Sequence, residues 1–206
     1  MAAQKKSKVA SERDEEARRA FRERAHGVDP RRFVAVDECG THTSMTRDRA
    51  RAPRGQRAYG RVPRNRGPNT TLLASMTLEG AMGEAMVVEG ATERFVFETY
   101  IEHFLGPALE EGHVVLLDNL PAHKTDRVRE LIEERGAEAW FLPSYSPELN
   151  PIEGAFSKMK ALLKKAAVRT EEALVEAIAQ ALAAVTPEDA RGWFAHSGYE
   201  SLDQRL

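Results

Sequence analysis

The chain has 206 residues, 42% of them apolar and 30% charged, with a formal net charge of −2. That is enough for one domain with a real core and too little for two full domains and a linker. The longest aliphatic run, Val114–Leu117, falls far short of the ~20 residues of a membrane-spanning helix. The basic N-terminus leads into no apolar stretch of the kind a secretory signal needs. A single cysteine, Cys39, excludes an internal disulfide framework and a zinc site built on several thiolates. The expectation is a soluble, cytosolic, globular protein without a membrane partner.

Net charge conceals an asymmetry. Residues 1–70 hold 18 Lys/Arg against 9 Asp/Glu, and residues 71–206 hold 12 against 23. Much of the excess lies in 47–66, where Arg47, Arg49, Arg51, Arg54, Arg57, Arg61, Arg64 and Arg66 face one carboxylate, Asp48. A basic block on an acidic body suggests a polyanion held at one place. The guanidinium fork suits phosphate oxygens, so the block is read as a phosphate-contacting segment rather than a solvated loop.

In chain order, residues 10–26 are rich in Glu, Arg and Ala, with Phe21 the only large apolar side chain. They read as a solvated helix or linker with no apolar face to dock, or as the stub of an upstream domain. Phe33-Val-Ala-Val-Asp37 reads as a buried strand ending in an acid. Residues 46–68 read as a long loop or loose hairpin. Strands are expected at 70–78 and 85–88, around a turn at 79–83. A helix follows over 92–110, then a strand at 113–117 ending at Asp118. A helix at 122–135 and a strand at 138–142 complete a β-α-β unit with parallel neighbours. Asn150-Pro151 opens another helix, and two more lie near 170–185 and 187–196, with Trp193 and Phe194 anchoring the last. Trp140, Phe141 and Tyr145 are assigned to core and turn packing rather than to base-stacking platforms, and His42 and His196 to core or surface. The class is mixed α/β with one sheet, divided into a charged linker or N-terminal helix at 1–30 and one domain at 31–206.

Asp37 and Asp118 thus close two strands, and Glu153 follows Asp118 by 35 positions. A carboxylate at the end of a buried strand is costly unless paired, hydrogen-bonded or bound to metal. If the strands are neighbours and Glu153 faces them from a helix, three oxygen donors converge. That suits Mg²⁺ or Mn²⁺, and two such ions serve phosphoryl transfer. Each acid also has a plainer reading. Asp118 caps the turn that follows it, Asp37 pairs with a nearby arginine, and Asn150, Pro151 and Glu153 form a capping box. His123 either reaches the site or caps its own helix.

Three blocks separate these readings: Val36-Asp37-Glu38, Asp118-Asn119-Leu-Pro-Ala-His123-Lys124, and Leu142-Pro-Ser-Tyr145-Ser-Pro147-Glu-Leu-Asn150-Pro151-Ile-Glu153. They resemble the catalytic blocks of DDE transposases, the DDE superfamily endonucleases of the bacterial insertion-sequence branch of the mariner superfamily. Met45-Thr-Arg47, Arg51-Ala-Pro-Arg-Gly55 and Trp193-Phe194-Ala-His196-Ser-Gly-Tyr199 are similar to that family too, and the likeness runs from about 31 to 200. It implies a ribonuclease-H-like mixed sheet flanked by helices, with further helices at the C-terminus. It also implies two divalent ions (Mg²⁺ or Mn²⁺) on Asp37, Asp118 and Glu153, and metal-dependent cleavage and joining of DNA at transposon ends and target. Asn119, His123 and Asn150 are then candidates to support the ligands from behind. A homodimer and an upstream helix-turn-helix subunit or reading frame are among the implied partners, in a bacterial, nucleoid-associated setting. Two departures stand out: the family's paired helix-turn-helix domains have no counterpart here, and Cys39 stands where a small hydroxyl residue is common. The rival readings are an inactive remnant or partner subunit that binds DNA without cutting, and a cellular ribonuclease-H-like nuclease.

Overall fold

The computed structural model describes residues 10–65, 67–121 and 123–199. The first element is a helix, α1 (Glu15–His26). A meander follows of β1 (Phe33–Thr41), β2 (Thr70–Thr77) and β3 (Ala81–Glu89), then α2 (Arg94–Tyr100), β4 (Val114–Leu117), α3 (Asp126–Glu133) and β5 (Glu138–Phe141). Three helices close the chain: α4 (Ile152–Ala166), α5 (Glu171–Ala183) and α6 (Pro187–His196). The sheet order is β3-β2-β1-β4-β5. β1 pairs antiparallel with β2 and parallel with β4, and β4 pairs parallel with β5. Among the described residues no helix is long and apolar enough to cross a membrane.

Successive side chains of a strand point to opposite faces, and β1 and β4 use both. Phe33, Ala35, Val114 and Leu116 join the core made with α4, α5 and α6. Val34, Val36, Val115 and Leu117 join a second core with α2 and α3. This is why both strands read as unbroken apolar runs. The same alternation carries Asp37 to the α4 side and Glu38 to the other. On α4, Ile152, Ala155, Phe156, Met159 and Leu163 are buried, a helical stripe laid on the sheet. Gly154 permits α6 to close on it, since a Cβ there would stand 2.5 Å from the Trp193 indole. Phe194 is buried as expected, and Tyr199 Oη donates to the Leu149 carbonyl at 2.7 Å.

Several boundaries differ from the sequence reading, each for a local reason. β1 runs four residues past Asp37 because β2 continues to pair with it up to Thr41↔Thr70. The turn between β2 and β3 is tighter than expected, and β3 begins at Ala81. The helix expected over 92–110 stops at Tyr100, continues as a π turn at Ile101–Leu105 and ends in a 3-10 turn at Gly106–Ala108. Pro107 has no N–H with which to continue an α-helix. α3 starts at Asp126, where Thr125 Oγ1 accepts from the Val128 N–H at 3.1 Å. His123 and Lys124, expected in the helix, therefore lie outside it.

The largest difference is α1. Its polar sequence gave no docking face, yet Arg18, Phe21 and Ala25 are buried along one side. Phe21 meets Trp140 edge-on at 6.0 Å, and the Arg24 guanidinium lies 3.6 Å over the same indole. Arg18 is 1% exposed. It donates to Ser146 Oγ at 2.6 Å and pairs with Glu148 at 2.5 Å. A buried guanidinium with specific partners takes the place that an apolar stripe usually fills.

That pair is unequal. Removing Glu148 leaves a guanidinium sealed from water with Ser146 and the exposed Glu15, at 3.3 Å, as its partners, whereas removing Arg18 leaves a carboxylate that is 39% exposed and still paired with Arg13. Glu148→Ala is expected to lower stability by roughly 2 kcal/mol, with Arg18→Met costing less. Chemical denaturation of both variants measures this, and an equal or reversed order contradicts the burial argument.

Candidate active site

The parallel pairing of β1 with β4 ends at Ala35↔Leu116. Two residues further along each chain stand Asp37 and Asp118, at the same end of adjacent strands. Asp118 follows the last residue of β4, while Asp37 lies within β1, opposite Ala74 of β2, and does not terminate its strand. Both aspartates line a cavity of about 390 Å³ with Glu153, Asn119, Asn150 and the segment 142–147. The three expected acids therefore face one space. They do not yet close on one point: among the described residues no three Asp, Glu, His or Cys side chains are near enough to share an ion. Like charges repel, and Glu153 is exposed on the first turn of α4.

The capping-box reading of Glu153 fails. Pro151 is the N-cap of α4, without a side-chain hydrogen bond. Asn150 instead reaches back across the cavity. Its Nδ2 donates to the Val36 carbonyl at 3.3 Å and to Asp37 Oδ2 at 3.2 Å. Asp37 Oδ1 accepts from the Glu38 N–H at 2.8 Å, which fixes the carboxylate in orientation. Among the described residues no arginine pairs with Asp37. Burial pushes its pKa up to about 7 against that backbone donor, and the negative charges of Glu153, Glu38 and Asp118 push the same way.

His123 reaches the site. The turns formed by residues released from α3 bury it to 2% exposure, and its ring stacks on Phe97 at 3.8 Å. Nδ1 donates to Asp118 Oδ1, and Nε2 lies 3.2 Å from Glu38 Oε2, at ion-pair distance though poorly aligned. Burial alone would lower the pKa of His123. The hydrogen bond to Asp118 and the ion-pair contact with Glu38 outweigh it and raise the pKa to about 9, making the ring a cation at neutral pH. Asn119 donates through Nδ2 to Ser144 Oγ. The Oδ1 atoms of Asn119 and Asn150 are buried without a partner.

Sequence reasoning missed Glu38, Ser144 and Tyr145. Strand alternation could have sent Glu38 to the His123 side. Tyr145 is not turn packing: it is 59% exposed and lines the cavity. Trp140 is core as expected. The arginine block forms no regular element, and Arg47, Arg49, Arg51, Arg54, Arg57, Arg61 and Arg64 are all exposed. Asp48 pairs with Lys164 and not with an arginine. Arg66 lies outside the described residues.

A half-buried set of oxygen donors with an elevated carboxyl pKa and unsatisfied amide oxygens beside it fits a hard divalent cation. Asp37, Asp118 and Glu153 are the side chains that would hold it.

A family model described as DDE superfamily endonuclease matches residues 32–175, which include all three acids. The chain belongs to that family. No curated protein matches it in sequence. Among solved structures, the Mos1 transposase paired-end complex with left transposon end aligns at TM-score 0.74 and 19% identity, over 96% of this chain and 64% of that one. The Mos1 mariner paired end complex with Mn aligns at 0.73 and 19%, also over 96% and 64%. The catalytic domain of Mos1 mariner transposase aligns at 0.60 and 16%, over 89% and 85%. The chain thus spans less than two thirds of the transposase in the first two complexes. The shared fold is ribonuclease-H-like, a mixed five-stranded sheet between helices, and the endonuclease family's matched region carries the cavity.

The pH dependence follows from the acids. The folded chain holds a proton on Asp37 up to about pH 7, whereas the unfolded chain releases it near 3.8. Stability without metal therefore falls as pH rises across that window, and the loss is complete above it. His123 extends the decline: its contribution is full below about 6.5 and vanishes as pH passes about 9. Asp37→Asn removes the first of these losses. With chelator present, its melting temperature should exceed the parent's at about pH 8 and not at about pH 4. A difference between the two proteins that ignores pH would mean Asp37 is ionised without strain.

Proposed function

We propose that this chain is the catalytic domain of an insertion-sequence transposase, cleaving DNA strands and joining them to a target with Asp37, Asp118 and Glu153 as its acid triad. The observation that carries the reading is the single cavity lined by these three carboxylates, inside the region that matches the endonuclease family. The named neighbours support it, being transposases solved with transposon-end DNA, with Mn or Mg, and as a strand transfer complex.

In this reading Asp37, Asp118 and Glu153 hold two divalent ions, Mg²⁺ or Mn²⁺. Such a pair, when bound, stabilises the attacking and leaving oxygens of an in-line displacement at phosphorus. Asn150 and the Glu38 N–H hold Asp37 in one orientation. The His123 imidazolium holds Asp118 and offsets the charge of Asp118 and Glu38, so an anionic substrate meets less repulsion. Water attacks the phosphodiester first and a DNA 3′-hydroxyl second. The exposed arginines of 47–66 contact the DNA backbone. End recognition, an upstream helix-turn-helix subunit and dimerisation belong to the same proposal.

A second reading draws on the open arrangement of the acids: a subunit that binds DNA without cutting it. Nicking of supercoiled plasmid in Mn²⁺ or Mg²⁺ separates the two. The parent should nick, and Asp118→Ala should lose activity by at least ~100-fold. Binding without nicking in either metal would favour the second reading. Mg²⁺ or Mn²⁺ should also raise the parent's melting temperature and raise that of Asp118→Asn much less. For the basic block, log affinity for duplex DNA should fall with log salt by ~0.9 per phosphate neutralised. Replacing Arg51, Arg54 and Arg57 by alanine should flatten that slope by roughly one unit per lost contact. An unchanged slope would mark the block as solvated charge.

A further inference from the structure

One wall of the acid-lined cavity is the segment Pro143-Ser144-Tyr145-Ser146-Pro147, and it presents Tyr145 at a cost. The φ of Tyr145 is 54°, in the left-handed region where a bulky L-residue is strained. Its ring is 59% exposed, although it belongs to the wall of a cavity. Strain and apolar exposure together persist only where the surroundings impose them. Here both neighbours are pinned. Ser144 Oγ accepts from Asn119, beside Asp118. Ser146 Oγ accepts from the buried Arg18 at 2.6 Å and donates to the Ser144 carbonyl at 3.1 Å. Arg18 also pairs with Glu148, two residues on. The backbone is fixed on both sides, and the ring is left at the cavity mouth.

A second exposed apolar side chain, Leu120 at 45%, lines the same cavity. The space therefore has carboxylates at one side and an apolar rim at another. A nucleotide has the matching halves: a phosphate that cations held by the acids would attract, and a flat base. In duplex DNA the base faces are covered by their neighbours, so only an unstacked base can offer a face to a ring.

We propose that Tyr145 is a substrate-binding residue, whose ring receives a nucleobase of a locally unpaired strand next to the phosphodiester in the cavity. The inference rests on the DNA-cleaving reading above and adds that the strand is distorted at the site. Arg18 is a positioning residue in this scheme: it touches no substrate and acts by holding Ser146 and Glu148.

The test uses the full chain and single-stranded oligonucleotides carrying 2-aminopurine, whose fluorescence is quenched on stacking, together with plasmid nicking in Mn²⁺. Tyr145→Phe should retain binding and quenching. Tyr145→Ala and Tyr145→Gly should weaken binding roughly 10-fold and lose the quench, with KM for nicking rising more than kcat falls. Tyr145→Gly should at the same time keep or raise the melting temperature, because glycine accepts the positive φ freely. Loss of binding with gain of stability is a pattern that a merely structural tyrosine does not give. Asp118→Ala should lose nicking and keep the quench. If the parent nicks DNA and Tyr145→Ala binds, quenches and nicks like it, the role of Tyr145 is wrong while the function stands. A parent that neither binds nor nicks DNA overturns both.

Discussion

Four carboxyl groups, Asp37, Glu38, Asp118 and Glu153, gather where β1 leaves its parallel partner, and a half-buried place of that kind tolerates so much negative charge only with a cation among it. His123 is that cation. It bridges Asp118 and Glu38, from neighbouring strands. The surroundings are arranged to keep it there. Phe97 of α2 supplies a flat face, the delayed start of α3 frees the turns that carry it, and strand alternation delivers Glu38 to the α2 side while Asp37 goes to α4. The imidazolium answers one side of the cluster only. Asp37 faces the cavity with amide donors from Glu38 and Asn150, and Glu153 lines the same space, which is the side where hard metal ions would complete the charge balance.

Much of this was legible in the chain itself. The apolar runs ending in Asp37 and Asp118 announced buried strands with acids at one edge, and the β-α-β spacing announced their parallel neighbours. The position of Glu153 was legible, but its environment was not. Asn, Pro and Glu at the head of a helix satisfy the capping rules so well that only tertiary structure shows Asn150 turned away toward Asp37. Long-range polar contacts of this sort leave no periodicity. The same limit explains α1, where the docking group is a guanidinium whose partners Ser146 and Glu148 lie far along the chain. The sequence assigns Tyr145 to turn packing because an aromatic between prolines ordinarily packs, and a positive φ on a non-glycine residue has no sequence signature.

α1 changes how the cavity should be regarded. The segment 143–149 spans the gap between β5 and α4 as a turn followed by a 3-10 turn at Pro147–Leu149. Arg18 fastens its centre, and Tyr199 fastens its end through the Leu149 carbonyl. The wall of the site is therefore held from both extremities of the described chain, by a helix that precedes the sheet and by the residues that follow α6. The acids come from the middle, and the rigidity of their enclosure comes from the ends.

The central place of β1 has a consequence for synthesis. Its antiparallel neighbour β2 follows directly, but its parallel neighbour β4 is made much later, and α4 later still. A nascent chain can close the β1-β2-β3 meander early, leaving one edge of β1 without hydrogen bonds and both faces without their helices. An open apolar edge of that kind is a template for pairing with other chains. The protein thus passes through a stage on the ribosome when the central strand of its sheet is its most adhesive surface. Chaperone dependence and aggregation of chains cut short before β4 are the natural companions of this topology.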